Sequence, residues 1–192
     1  QIDEILNSVL NGHQINDEEL KILFNTAGEK INDIASVANQ LNFLKNGNKV
    51  SFVKNRNINY TNQCYYKCGF CGFSKGPKSF NRKEKPYSID IQEVVDRTTE
   101  AFEMGASEVC LQGGIHPDYT GEFYLNMVKE IKQTTPDMHI HGFTPLEIWQ
   151  GAETINLSIE EYLKLLLDAG LNTLPGTAAE ILDDRVRKYL CP

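Results

Sequence analysis

Apolar residues recur along this chain with two different periods, and the alternation between them predicts its elements. Gln1 to Leu10 is an acidic amphipathic pattern. Asn16 and Glu19 form a capping pair opening a helix through Leu20 and Leu23, and Ile31, Ile34, Ala35, Ala38 and Leu41 repeat at helical spacing behind it. Val50 to Val53 and Ile58 to Thr61 alternate as short strands do, with the polar Lys54-Asn55-Arg56-Asn57 between them. Ser74 to Lys85, with Gly76 and Pro77, reads as an exposed loop.

From there helices and strands alternate. Ile91, Val94, Val95, Thr98 and Phe102 share a helix face that Gly105 can end, and Glu108 to Gln112 is apolar enough for a buried strand. A helix near Glu122 to Lys132 precedes a strand over Met138 to Phe143, with Glu147 in the loop that follows. Ser158 and Glu161 make a capping box before Tyr162, Leu163, Leu166 and Leu167, Gly170 ends that helix, and Leu171 to Leu174 is a brief strand. Asp183 to Leu190 is a last helical pattern, and Trp149 reads as a packing residue.

Strands separated by helices imply an α/β fold with a parallel sheet, curled by right-handed crossovers into a (β/α) barrel. About four strands are present, so the expectation is a partial barrel over residues 50–192, truncated at its carboxyl end, behind a small helical segment over residues 1–49. An open four-stranded parallel sheet leaves an edge uncovered, and the chain reads as an amino-terminal fragment on that ground.

Composition narrows the function. With 192 residues, 41% of them hydrophobic and 23% charged, the chain can bury an ordinary core. A net charge of -7 without a dense Lys/Arg block argues against nucleic acid or an anionic membrane surface as partner. Nothing approaches a membrane span or a signal peptide, so the expected compartment is the cytoplasm. Five cysteines, three of them within eight positions and Cys110 and Cys191 isolated, fit a metal or redox site better than a disulfide framework.

Those three are Cys64, Cys68 and Cys71, on a loop directly after a strand. Three thiolates at that spacing can take three corners of a 4Fe-4S cubane and leave one iron open to chelate a small molecule. A zinc site asks for a fourth protein ligand, which here would have to be a distant residue such as His116 or His141. A non-catalytic iron-sulfur or metal-binding module is the alternative from another class.

The spacing, with Phe70 immediately before the third cysteine, resembles the signature of the radical S-adenosylmethionine (radical SAM) superfamily. That resemblance implies that the amino and carboxylate groups of S-adenosylmethionine chelate the open iron and that Phe70 packs beside the adenine. One electron would then release a 5'-deoxyadenosyl radical. Leu111-Gln112-Gly113-Gly114-Ile115-His116-Pro117 follows a strand at the carboxyl end, where barrel enzymes keep their sites. In the superfamily a glycine-rich stretch here meets the amino group of S-adenosylmethionine, which makes Gly113 and Gly114 the cofactor-binding candidates. His139 and His141 point to one side of their strand; His141 is a candidate to line the substrate cavity, together with Glu147.

Four blocks read together narrow the resemblance: Asn57 to Asn62, Gln112 to Pro117, His141 to Glu147, and Leu174 to Asp184. They look like the tyrosine-using enzymes of the FO synthase type, which serve deazaflavin biosynthesis. This implies a transferase joining the 4-hydroxybenzyl part of L-tyrosine to 5-amino-6-(D-ribitylamino)uracil, with an electron donor and the ring-closing FO synthase subunit as further partners. The radical SAM enzymes of the futalosine route to menaquinone share much of the pattern and are the alternative.

Overall fold

The computed structural model describes residues 1–66, 68–75, 85–176 and 181–190. Contacts divide the chain into two compact units, Gln1–Phe52 and Val53–Pro192.

The first unit holds α1 (Ile2–Leu10), α2 (Asp17–Phe24) and α3 (Lys30–Asn46). Asn16 caps α2 as its sequence predicts: its side chain accepts from the Glu18 and Glu19 amides, and Glu19 returns a bond to the Asn16 amide. Buried apolar side chains are few, Ile5 and Leu6 among the described residues, while Phe24 and Leu44 stand exposed.

The second unit is built on three parallel strands in the order β1 (Asn55–Asn59), β2 (Glu108–Gln112), β3 (His139–Gly142). Asn59 pairs with Gln112, and Leu111 with Gly142. On one face Ile58, Val109, Leu111 and Ile140 are buried against α4 (Ile91–Glu103), α5 (Gly121–Thr134), α6 (Pro145–Thr154) and α7 (Ile159–Ala169). Burying each such side chain is worth about 1.5–3 kcal/mol. The other face carries Asn57, Asn59, Cys110, Gln112 and His141, polar or only partly buried. Among the described residues no helix is long and apolar enough to cross a membrane.

β2 and the capping box of α7 fall where the sequence places them, and Gly170 ends α7 at φ +111°. Three expectations need correction. Val50 to Val53 is not a strand: among the described residues nothing pairs with it, Val50 and Phe52 are exposed, and the ladder begins only where the Lys54 carbonyl accepts the Ser107 amide at 2.9 Å. The strand is instead the polar Asn55–Asn59, whose asparagines belong to the polar face while Ile58 enters the core.

Leu171 to Leu174 contributes a single bridge between His141 and Thr173. The Asn172 side chain accepts the Ile140 amide at 2.8 Å, taking the place of a backbone carbonyl and stopping the ladder there. Finally, Glu147 lies in a helix rather than a loop, since α6 starts at Pro145. Trp149 on that helix is 43% exposed and is not a core residue. The expected helix near the carboxyl end is α8 (Asp184–Leu190), whereas most of the Ser74–Lys85 loop and residues 177–180 lie outside the described residues.

Candidate cofactor site

The strand ends shape the loop that carries the cysteines. After β1, Tyr60 turns into the core and Thr61 and Asn62 are fully buried. The Asn62 side chain donates to the Lys85 carbonyl at 3.0 Å and accepts the Tyr87 amide at 2.8 Å, while its own carbonyl accepts the Lys75 amide. Those bonds tie both ends of the following segment to the strand exit. The Cys64 amide donates to the Lys75 carbonyl, and the Tyr65 amide to the Ile115 carbonyl in the turn after β2.

The loop then folds tightly. Cys71 donates its amide to the Cys68 carbonyl at 3.2 Å, and the Gly69 amide meets the Leu190 carbonyl at the end of α8 at 2.6 Å. The Ser74 amide donates to the Cys71 sulfur, 3.4 Å away. Tyr65 and Tyr66 stack with ring centroids 4.5 Å apart, and the hydrogen bond between them, followed by burial, pushes the Tyr66 hydroxyl up to about 12.

Cys64, Cys68, Cys71, Phe70, Gly113 and Gly114 all line one cavity of about 320 Å³, beside Asn57, Asn59 and Gln112 from the polar strand face. Cys64, Cys68 and Cys71 are each partly accessible, and none is in a disulfide. Among the described residues no three His, Cys, Asp or Glu side chains converge on a single ion. Three thiols lining one shared cavity fit a polynuclear cluster, in which every thiolate would take its own iron. The donor set therefore suits the 4Fe-4S group that the spacing implies, and the remaining cavity wall is neutral, made of amides, hydroxyls and aromatic rings.

The two glycines are required by packing as well as by any ligand. A Cβ on Gly113 would lie 2.4 Å from the Tyr60 ring, and one on Gly114 would lie 2.3 Å from the Gln63 carbonyl oxygen and 3.0 Å from the Cys64 Cβ. The Gly114 amide donates to the Thr61 carbonyl at 2.9 Å. The backbone after β2 thus lies directly on the backbone that enters the cysteine loop.

His141 and Glu147 are not brought to this cavity wall. His141 shares the Thr173 hydroxyl with His139, at 2.6 and 2.9 Å, on the polar sheet face. Glu147, expected to line a substrate cavity, is fully buried: its carboxylate takes the Tyr60 hydroxyl, the Gly113 amide at 3.1 Å and the Thr144 amide at 2.7 Å. Burial pushes this carboxyl up to about 8 against the pull of the two backbone amides. A sequence signal for it existed, since Thr144-Pro145-Leu146-Glu147 is a capping box with proline at the first helical position. Sequence reasoning also missed Asn57, Asn59 and Gln112 as cavity residues: Asn57 reads as part of a polar connector, and no local pattern tells which face of their strands Asn59 and Gln112 present to a site.

Residues 58–192 match the Radical SAM superfamily. The chain is 38% identical, over 93% of its length, to the 5-amino-6-(D-ribitylamino)uracil–L-tyrosine 4-hydroxyphenyl transferase of Methanothermobacter thermautotrophicus, of which it covers 47%. To the same-named protein of Methanopyrus kandleri it is 48% identical over 76% of its length, covering 38% of that relative. FO synthase of Streptomyces avermitilis is 40% identical over 92% of the chain, which covers 20% of it. The chain therefore spans less than half the length of each of these curated relatives. Among solved structures, HydG, a maturase of the FeFe-hydrogenase, superposes with a TM-score of 0.72 at 20% identity, over the whole chain and 40% of HydG. The same fold and a sequence match that takes in all three cavity cysteines lead to one conclusion: this chain belongs to the radical SAM superfamily.

Proposed function

We propose that this chain carries the cluster-binding part of a transferase that joins the 4-hydroxybenzyl part of L-tyrosine to 5-amino-6-(D-ribitylamino)uracil in deazaflavin biosynthesis. The observation that carries this reading is the coincidence of the three-thiol cavity with 38–48% identity to proteins named for that transfer. Cys64, Cys68 and Cys71 hold the 4Fe-4S cluster, Phe70 flanks the adenine of S-adenosylmethionine, and Gly113 and Gly114 bring backbone up to its amino group. Cluster and S-adenosylmethionine together supply a radical able to take a hydrogen atom from an unactivated donor.

The chain's own residues then have to hold substrate close and keep water out, because such a radical reacts with whatever is nearest. Tyr66, Phe70 and Phe73 give the cavity an apolar rim beside the cysteines, and Asn57, Asn59 and Gln112 offer it amide donors and acceptors without charge. Such a lining suits a neutral heterocycle and its hydroxylated chain. His141 lies further along the same strand face, where it can meet substrate once the barrel is filled. A reducing compartment, the cytoplasm, suits the partly accessible thiols, and an electron donor and the ring-closing FO synthase subunit are the expected partners.

The test is an anaerobic incubation of the reconstituted protein with dithionite, S-adenosylmethionine, tyrosine and 5-amino-6-(D-ribitylamino)uracil. Mass spectrometry should find the coupled product. Formation of 5'-deoxyadenosine without any coupled product would refute the substrate assignment while leaving the cofactor chemistry standing.

A further inference from the structure

One buried carboxylate touches the carboxyl ends of all three strands. Glu147 accepts from Tyr60, which follows β1, from the Gly113 amide, which follows β2, and from the Thr144 amide, which follows β3. Its own amide returns to the Thr144 hydroxyl at 3.2 Å, so helix α6 fixes where the carboxylate stands. The carboxylate and the Tyr60 ring are fully buried beneath the cavity, whereas Gly113 and Thr144 line it.

The contacts continue toward the cofactor. The Tyr60 ring occupies the space a Gly113 side chain would need, and Gly114 lies against the Gln63 carbonyl and the Cys64 Cβ. Tyr60 is itself fixed by aromatic neighbours, with Phe123 and Phe143 ring centroids at 6.0 and 6.2 Å. Displacing the Gly113 amide therefore displaces the surface on which Cys64 rests.

We propose that Glu147 is a positioning residue: with Tyr60 it clamps the Gly113–Gly114 backbone at the height needed to receive S-adenosylmethionine beside the cluster. Two features favour this over simple core filling. An apolar side chain would fill the volume but leave the Tyr60 hydroxyl and the Gly113 and Thr144 amides without an acceptor, and burying a carboxyl carries a large desolvation cost that only specific partners offset. Both the cost and the partners are placed at the one point that joins the glycine pair to the strand ends.

This inference rests on the cofactor placement proposed above and not on the identity of the substrates. Its test uses the full chain, reconstituted anaerobically, in three variants: Glu147→Ala, Tyr60→Phe and Glu147→Gln. Dissociation of S-adenosylmethionine is followed by equilibrium dialysis, iron and sulfide content is measured alongside, and amide exchange at Gly113 and Gly114 is read in the cluster-free protein. Loss of the acceptor for all three donors in Glu147→Ala should weaken S-adenosylmethionine binding about tenfold or more and speed exchange at both glycines by a similar factor. Tyr60→Phe should give a smaller effect of the same kind, about threefold. Glu147→Gln, which keeps an acceptor, should restore most of the affinity, and cluster content should stay at the wild-type level throughout.

Wild-type affinity in both Glu147→Ala and Tyr60→Phe would overturn the clamp. So would loss of the cluster in step with affinity, because the pair would then be supporting the whole cysteine loop and not the glycines. Should Glu147→Ala not fold, Tyr60→Phe, which removes one hydroxyl, decides alone. If the wild-type protein binds no S-adenosylmethionine, the cofactor placement fails and the clamp with it.

Discussion

The cysteine loop and the Glu147 clamp meet at Gly114, and they are made in opposite ways. The loop is short and partly exposed; its thiols face a cavity, and Phe70 and Tyr65 are each close to half exposed. The clamp's two side chains, Glu147 and Tyr60, are fully buried, and the Glu147 carboxylate draws the three strand ends together. The loop holds the reactive groups but little core, so its geometry has to be borrowed. The clamp has no reactive group facing the cavity, and it supplies that geometry. Chemistry and precision are thus assigned to different residues a few ångströms apart, as expected for a site whose ligand-bearing loop sits on a rigid scaffold.

That division can be broken from either side. The largest effect belongs to the loop: Cys68→Ala should abolish the cluster, seen as loss of the brown absorbance, and all S-adenosylmethionine cleavage. Its melting temperature with the cluster removed should stay within about 3 °C of the wild-type apoprotein, since the loop contributes little buried area. A full cluster in Cys68→Ala would show that the ligands are misassigned.

Gly114→Ala attacks the junction. A Cβ 2.3 Å from a backbone oxygen cannot be accommodated by rotating a side chain, so one of the two backbones must move. The expected cost is about 1–3 kcal/mol of stability together with loss of most S-adenosylmethionine affinity. Chemical denaturation and dialysis on the same preparation would check both; a stable variant with wild-type affinity would show that the contact is soft.

A smaller effect is expected from the clamp's own ionisation. Burial raises the Glu147 carboxyl from its ordinary 4.5 to about 8 in the folded state. The folded protein therefore binds a proton that the unfolded chain has released between these values, and the stability this proton confers is complete below about 4.5 and lost as pH rises to about 8. The wild-type melting temperature should fall progressively relative to Glu147→Gln across that window and run parallel to it above. Parallel curves at every pH would mean that the Glu147 carboxyl titrates at its ordinary value in the folded protein.

The smallest change is expected at Phe70, whose ring is 46% exposed before any ligand is bound. Phe70→Ala should weaken S-adenosylmethionine binding about threefold to tenfold and leave iron content unchanged. An unaltered affinity would remove Phe70 from the adenine's surroundings.

The two regions also differ in how far the sequence betrays them. The cysteine loop is legible because ligand spacing is local: three thiols and an aromatic residue within eight positions state their chemistry without tertiary structure. β2 is legible for a similar reason, as a short apolar run between a helix and two glycines. The clamp joins residues separated by up to 87 positions, and no local pattern announces that Glu147 will meet Tyr60. Its helical context alone was available, in the capping box from Thr144 to Glu147.

The strand expected over Ile58 to Thr61 overlaps β1 at Ile58 and Asn59 and misses Asn55 to Asn57, whose polar residues disguise a strand, while the alternation of Val50 to Val53 meets no partner strand among the described residues. The fourth strand shrank to a bridge because one asparagine side chain, that of Asn172, satisfied the amide that a longer ladder would have used. In each case a tertiary hydrogen bond or a bordering cavity overrode the local signal.

The proposed role of Cys64, Cys68 and Cys71, holding a cluster with one iron open to S-adenosylmethionine, is tested most directly by the electron paramagnetic resonance spectrum of the reduced, reconstituted protein before and after S-adenosylmethionine is added. The cluster signal should change shape and g-values on addition; an identical spectrum in both conditions would overturn the open iron.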